Sequence, residues 1–134
     1  MYKYTAKYTD YNGVEREEVL YFNISKAEAL RRETTRGEGG SYSELIQRII
    51  KSPDINKIYK EFESLIADSY GEKSPDGKHF RKSKEITEAF MQSPAYDVFM
   101  MHLLTDENAP AEFVNNVLPD LSELDIPVPN KNNA

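Results

Sequence analysis

The chain has 134 residues, 39% hydrophobic and 30% charged, with a formal net charge of −6. That length suits one domain with its own core and is too short for two sizeable ones. The absence of cysteine removes disulfides, thiolate metal sites and thiol nucleophiles together.

No apolar run approaches the roughly 18 residues of a membrane span, and MYKYTAKYTDYNG lacks the apolar stretch of a signal peptide. Neither membrane insertion nor secretion is expected. Residues 1–105 carry 16 Lys/Arg against 17 Asp/Glu. Beyond them Lys131 alone opposes Asp106, Glu107, Glu112, Asp120, Glu123 and Asp125. Nucleic-acid binding draws on a basic face that neutralises phosphates, so no nucleic-acid partner is expected.

In YKYTAKYT, Tyr2, Tyr4, Ala6 and Tyr8 alternate with Lys3, Thr5, Lys7 and Thr9, the period of a half-buried strand. Asn12-Gly13 tolerates the positive φ of a tight turn. The return strand, about Val14–Phe22, is Glu-rich early and apolar at Val19, Leu20, Tyr21 and Phe22. A lone hairpin is marginal in water, so this one must lie on helices or on another chain.

Ser25 and Glu28 have capping-box spacing and predict a short helix whose small apolar contribution is Ala27 and Leu30. Arg31, Arg32 and Arg36 are interleaved with Glu28, Glu33 and Glu38, the pattern of a salt-bridged helix end. Gly37, Gly39 and Gly40 form a corner and lack the spacing and lysine of a phosphate-binding loop. Ser41 and Glu44 open another helix, with Leu45, Ile46, Ile49 and Ile50 at helical spacing.

Ser52-Pro53 begins the longest helical pattern, with Ile55, Ile58, Tyr59, Phe62, Leu65, Ile66 and Tyr70 on one stripe and Gly71 as its stop. Residues 72–82 read as a polar link with a turn at Pro75-Asp76-Gly77. Ser83 caps a helix carrying Ile86, Ala89 and Phe90, and Ser93-Pro94 opens one carrying Ala95, Val98, Phe99 and Leu103. Thr105 is the expected cap of the last helix, whose face is Ala109, Phe113, Val114, Val117 and Leu118 and which Pro119 ends. The reading is an α+β, mainly helical fold: an N-terminal antiparallel hairpin on about five helices, one domain over residues 1–119. An acidic, proline-containing tail, expected to be flexible, occupies 120–134.

Chemistry is hard to find. His79 and His102 are 23 positions apart and match no metal-ligand spacing on a helix. Glu85 and Glu88 could meet but read as solvated like charges. Ser25, Ser41, Ser52, Ser83 and Ser93 are explained as caps. No catalytic residue, cofactor or metal is expected, and the chain reads as a non-enzyme.

The order of features resembles one family. It comprises YTDYNG, VLYFNISKAEAL, a double glycine before SELIQRII, FESLIADSYGEKSPDGKHFRKS, and EAFMQSPAYDVFMMHLLTDENAPAEFVNNVLP. These are similar to the tail assembly chaperones of long-tailed bacteriophages infecting Gram-positive bacteria, over roughly residues 3–119. Tyr70–Lys84 and Ser93–Pro119 are the most specific parts. The resemblance implies a helper in the cytoplasm of the infected cell that binds the tape measure protein, keeps it soluble and helps recruit tail tube protein. It also implies absence from the finished virion and, in many members, a longer frameshifted form. The alternatives are a head–tail connector or tail completion component, or a small phage regulatory protein.

The expected partner surface is a patch of Phe90, Tyr96, Phe99, Met100, Met101, Phe113 and Val117, continued by Leu121 and Leu124, because short helices gain most of their stability from packing. Self-association would follow from such a patch. The hairpin face of Tyr4, Tyr8 and Tyr21 is its competitor.

Overall fold

The computed structural model describes residues 1–35 and 55–119. The alternating N-terminal segment forms β1 (Tyr2–Thr9) and β2 (Glu15–Phe22), antiparallel, with Tyr2 opposite Phe22 and Thr9 opposite Glu15. The turn between them is a three-residue loop, longer than a two-residue Asn-Gly turn. Asp10 N–H donates to the Val14 carbonyl (2.8 Å), and Gly13 N–H donates to the Asp10 carbonyl (3.0 Å). Gly13 takes φ 80°, the left-handed position that such loops reserve for glycine.

Helix α1 (Lys26–Thr35) follows, then α2 (Ile55–Ser69), β3 (Tyr70–Lys73), β4 (Phe80–Arg81), α3 (Lys84–Met91), α4 (Pro94–Thr105) and α5 (Ala109–Val117). The fold is α+β: an antiparallel sheet in the order β1-β2-β3-β4, packed against these helices. The glycine corner, the helix expected from Ser41 and the Ser52-Pro53 start lie outside the described residues, as does the tail from Asp120.

The capping box at α1 is present in both directions. Glu28 N–H donates to Ser25 Oγ (3.1 Å), and Ser25 N–H donates to Glu28 Oε1 (3.0 Å). Ser83 and Ser93 cap α3 and α4 by accepting from the N–H groups of Ile86 and Tyr96.

Two expectations are corrected. Residues 70–81, read as a helix end and polar link, form a second hairpin in which Tyr70 pairs with Phe22, Gly71 with Tyr21, and Lys73 with Phe80. Strands of four and two residues are too short for alternation to reveal, and the free side of β2 captures them. Gly71 is therefore a strand residue: a Cβ there would lie 2.6 Å from the Phe80 ring and 2.7 Å from the Arg81 carbonyl. Thr105 is the last residue of α4, its Oγ1 donating back to the Met101 carbonyl (2.7 Å). The turn into α5 is held by Asp106, whose carboxylate accepts from Asn108 N–H and whose carbonyl accepts from Ala109 N–H.

The core is aromatic and centres on Phe22. Its ring stacks on Phe99 (4.7 Å between centroids) and meets Phe113, Tyr70 and Phe90 edge-on at 5.4, 5.5 and 6.0 Å. Tyr2, Ala6 and Leu20 complete the inner face of the sheet, while Phe62, Leu65, Leu103 and Val117 supply the helical side. Ser69 and Ser74 are buried, and both are satisfied: Ser69 Oγ donates to the Leu65 carbonyl, and Ser74 Oγ bonds Asp76 and the His79 N–H.

Candidate functional site

The expected helical patch does not lie open. Phe90, Tyr96, Phe99, Met100, Phe113 and Val117 are buried members of the core, because the sheet covers the face that short helices would otherwise leave bare. Met101 points away from that core and is 51% exposed. Leu121 and Leu124 lie outside the described residues. The tyrosines of the competing hairpin surface do not share a face. Tyr4 lies opposite Leu20 on the inner side, whereas Tyr21 lies opposite Lys3 on the outer side.

Among the described residues the first hairpin carries several exposed apolar side chains, Tyr11 and Val14 in its loop and Val19 opposite Thr5 on the outer face. No residue from Lys7 to Val19 is buried, and Tyr11, Val14 and Val19 are 83%, 49% and 43% exposed. This ribbon keeps its shape through local polar bonds. Asp10 Oδ1 accepts from the N–H groups of Asn12 and Val14 (both 2.9 Å), and Oδ2 accepts from Arg16 Nε (2.8 Å). The Arg16 bond, then the Val14 N–H, hold the Asp10 carboxyl below the ordinary carboxylate range. Tyr8 donates its hydroxyl hydrogen to Glu18 (2.6 Å). That bond, with a smaller effect from burial, raises the Tyr8 pKa.

A depression of about 480 Å³ runs along this ribbon, lined by Lys7, Tyr8, Thr9, Glu15, Arg16 and Glu17. Its lining comes from both faces of two exposed strands, so it is an open groove without a buried polar group to orient a small ligand. The geometry offers contact area and charge.

The base of the ribbon is clamped by a second polar centre that the sequence reading did not identify. Lys82 Nζ donates to the carbonyls of Asn23 and Asp68 (both 3.0 Å) and to Glu28 Oε2 (2.6 Å). It thereby ties the β2–α1 junction to the end of α2 and the start of α3. Burial acts to raise the Glu28 pKa, but the bonds from Lys82 and the Ser25 N–H outweigh it and hold the carboxyl below its usual value. Only the charge of Lys82 was visible in the sequence. Its partners lie 14 to 59 positions away.

Among the described residues no group of three or more His, Cys, Asp or Glu side chains is placed to hold a metal ion. His102 stacks on Tyr4 at 4.7 Å, and His79 is an exposed turn residue. Glu85 and Glu88 are exposed, and Glu88 faces Lys84 at 3.8 Å across one helical turn. None of the described helices is long and apolar enough to cross a membrane.

By its fold, the chain is a small α+β domain with a filled aromatic core and an exposed two-stranded ribbon. A sequence model described as phage tail assembly chaperone matches residues 1–124, nearly the whole chain. The chain belongs to that family. Comparison with curated proteins and with solved structures returned no match.

Proposed function

We propose that this protein binds the tape measure protein of its phage, keeps it soluble, and helps recruit tail tube subunits around it during tail assembly. The carrying observation is the family match over residues 1–124. The role needs binding and no catalysis: a long apolar helical client must be covered until tube subunits replace the cover. It places the protein in the cytoplasm of the infected host, a Gram-positive cell on the resemblance of its motifs, and outside the finished virion.

The contact surface we assign is the exposed part of the first hairpin, with Tyr11 and Val14 at its tip and Val19 on its outer face, rather than the buried helical aromatics. Exposed aromatic and aliphatic side chains on a charged ribbon combine contact area with solubility. The same side chains would support self-association when no client is present.

Co-expression of the tape measure protein with and without this chain tests the role. The expected result is a soluble complex in the first case and aggregated tape measure protein in the second, with the chain missing from purified particles. A soluble tape measure protein without it, or the chain as a stoichiometric virion component, would overturn the proposal.

A further inference from the structure

The two edges of the sheet are unlike. β4, at one end of the strand order, is two residues long, which offers an incoming strand almost nothing. β1, at the other end, is eight residues long and runs in unbroken one-to-one register with β2, without proline or bulge. Among the described residues no strand lies on its other side. Asp10 N–H bonds the Val14 carbonyl across the hairpin (2.8 Å), and backbone direction alternates along an antiparallel strand. The even residues of β1 therefore bond β2, and Lys3, Thr5, Lys7 and Thr9 turn their N–H and C=O groups to the open side.

We propose that this edge pairs with β1 of a second copy, antiparallel, with Ala6 opposite Ala6 on the twofold axis. Outward-facing groups must meet outward-facing groups, so odd residues pair with odd residues. Like charges directly opposite weaken a sheet. With Thr5 opposite Thr5, Lys3 of each copy faces Lys7 of the other, and a pair centred on Lys7 sets lysine against lysine directly. Centring on Tyr4 avoids this but joins only residues 2–6. Centring on Ala6 joins residues 3–9 of each chain, with Lys3 opposite Thr9 and Thr5 opposite Lys7. The lysines thus select the register.

The side chains agree with it. On the inner face Tyr4 comes opposite Tyr8 of the second copy, twice by symmetry, at the close spacing of a non-hydrogen-bonded pair that favours aromatic contacts. Both tyrosines are only half-buried in the single chain. On the outer face exposed Lys3 lies opposite Tyr21 in its own sheet and would meet Thr9 of the second copy, whose neighbour on β2 is exposed Glu15. Lys3 and that Glu15 stand two strand spacings apart, about 10 Å, a gap their side chains can bridge. The helices leave room. α4 meets β1 at its base, with Phe99 against Tyr2 and His102 against Tyr4, so the two copies of α4 fall toward opposite ends of the joined strands, about 20 Å apart. The twofold axis closes the pair.

This pairing requires no client, so its test is separate from co-expression. Sedimentation equilibrium of the full-length protein is expected to show monomer and dimer in exchange. Thr5 is exposed and its N–H faces the open side, where an edge strand accepts proline. Thr5→Pro is therefore expected to keep the circular dichroism spectrum and abolish the dimer. Charge at the same position reads the register. Thr5→Glu meets Lys7 of the other copy at two symmetric places and is expected to tighten the dimer about fivefold, whereas Thr5→Lys is expected to weaken it by at least as much. A wild type that stays monomeric overturns the proposal, as does a dimer that survives Thr5→Pro. If Thr5→Pro fails to fold, the charge variants decide: weakening by Thr5→Glu, or no response to either charge, overturns it.

Discussion

The two halves of the first hairpin share one alternating strand pattern and meet opposite surroundings. Near the base, Tyr2, Ala6, Leu20 and Phe22 face the helices and are buried. Toward the tip the same inner face continues as Tyr8 opposite Arg16, with Glu18 opposite Ala6, and nothing from Lys7 to Val19 is buried. The base is held by aromatic packing, the tip by the Asp10 loop and the Tyr8–Glu18 bond. Alternation is thus enough to make a strand, but the partner residues on β2 decide whether helices can cover it. The consequence for function is a division of labour in which the base anchors and the tip is left available.

The largest test of that contrast is Phe22→Ala at the base. Its ring touches five other aromatic rings, and its removal is expected to cost about 3–5 kcal/mol in urea unfolding. A cost well under this would mean that base and tip are equally peripheral.

Lys82→Met comes next, since it strips two carbonyls and Glu28 of a charged donor. A loss of about 1–3 kcal/mol at neutral pH is expected. The Glu28 carboxyl is held below its ordinary value of 4.5, so the carboxylate's share of this stabilisation is present above that pH. It fades as pH falls through the lower folded value. The gap between wild type and Lys82→Met should narrow in acid, and a gap independent of pH would show that the ion pair contributes nothing.

A smaller effect is confined to alkali. Burial, and behind it the charge of Glu18, pushes the Tyr70 hydroxyl from 10.0 up to about 12. Its contribution to stability is complete below pH 10.0 and lost as pH rises through the folded value near 12. Tyr70→Phe keeps the stack on Phe90, at 3.8 Å, and should flatten part of the stability decline over that range. An unchanged decline would place the sensitive group elsewhere, with Tyr96 next because burial and its bond to Tyr59 also raise its pKa.

The least effect on stability, and the sharpest on function, is expected at the tip. Tyr11→Asp should shift unfolding by no more than about 0.5 kcal/mol, while reducing capture of the tape measure protein in pull-down. Full capture by both Tyr11→Asp and Val14→Asp would remove the tip as the contact surface.

The sequence by itself determined the elements whose causes are local. The alternation of Tyr2–Tyr8, the Ser25–Glu28 box, the Ser83 and Ser93 caps and the stripe from Ile58 to Ile66 each follow from residues within a few positions, and each element stands where those residues put it. The family was legible too, because the motifs that resemble it run along the chain, and the family match spans residues 1–124. Tertiary structure alone decided the rest. The pairing of β3 with β2, the need for glycine at Gly71 and the three bonds of Lys82 join residues remote in sequence. So does the fate of Phe90, Tyr96, Phe99, Met100, Phe113 and Val117. A helix pattern shows that an apolar face must be covered, but not by what. Here the covering surface is the chain's own sheet, which turned an expected docking patch into core and left the hairpin tip exposed.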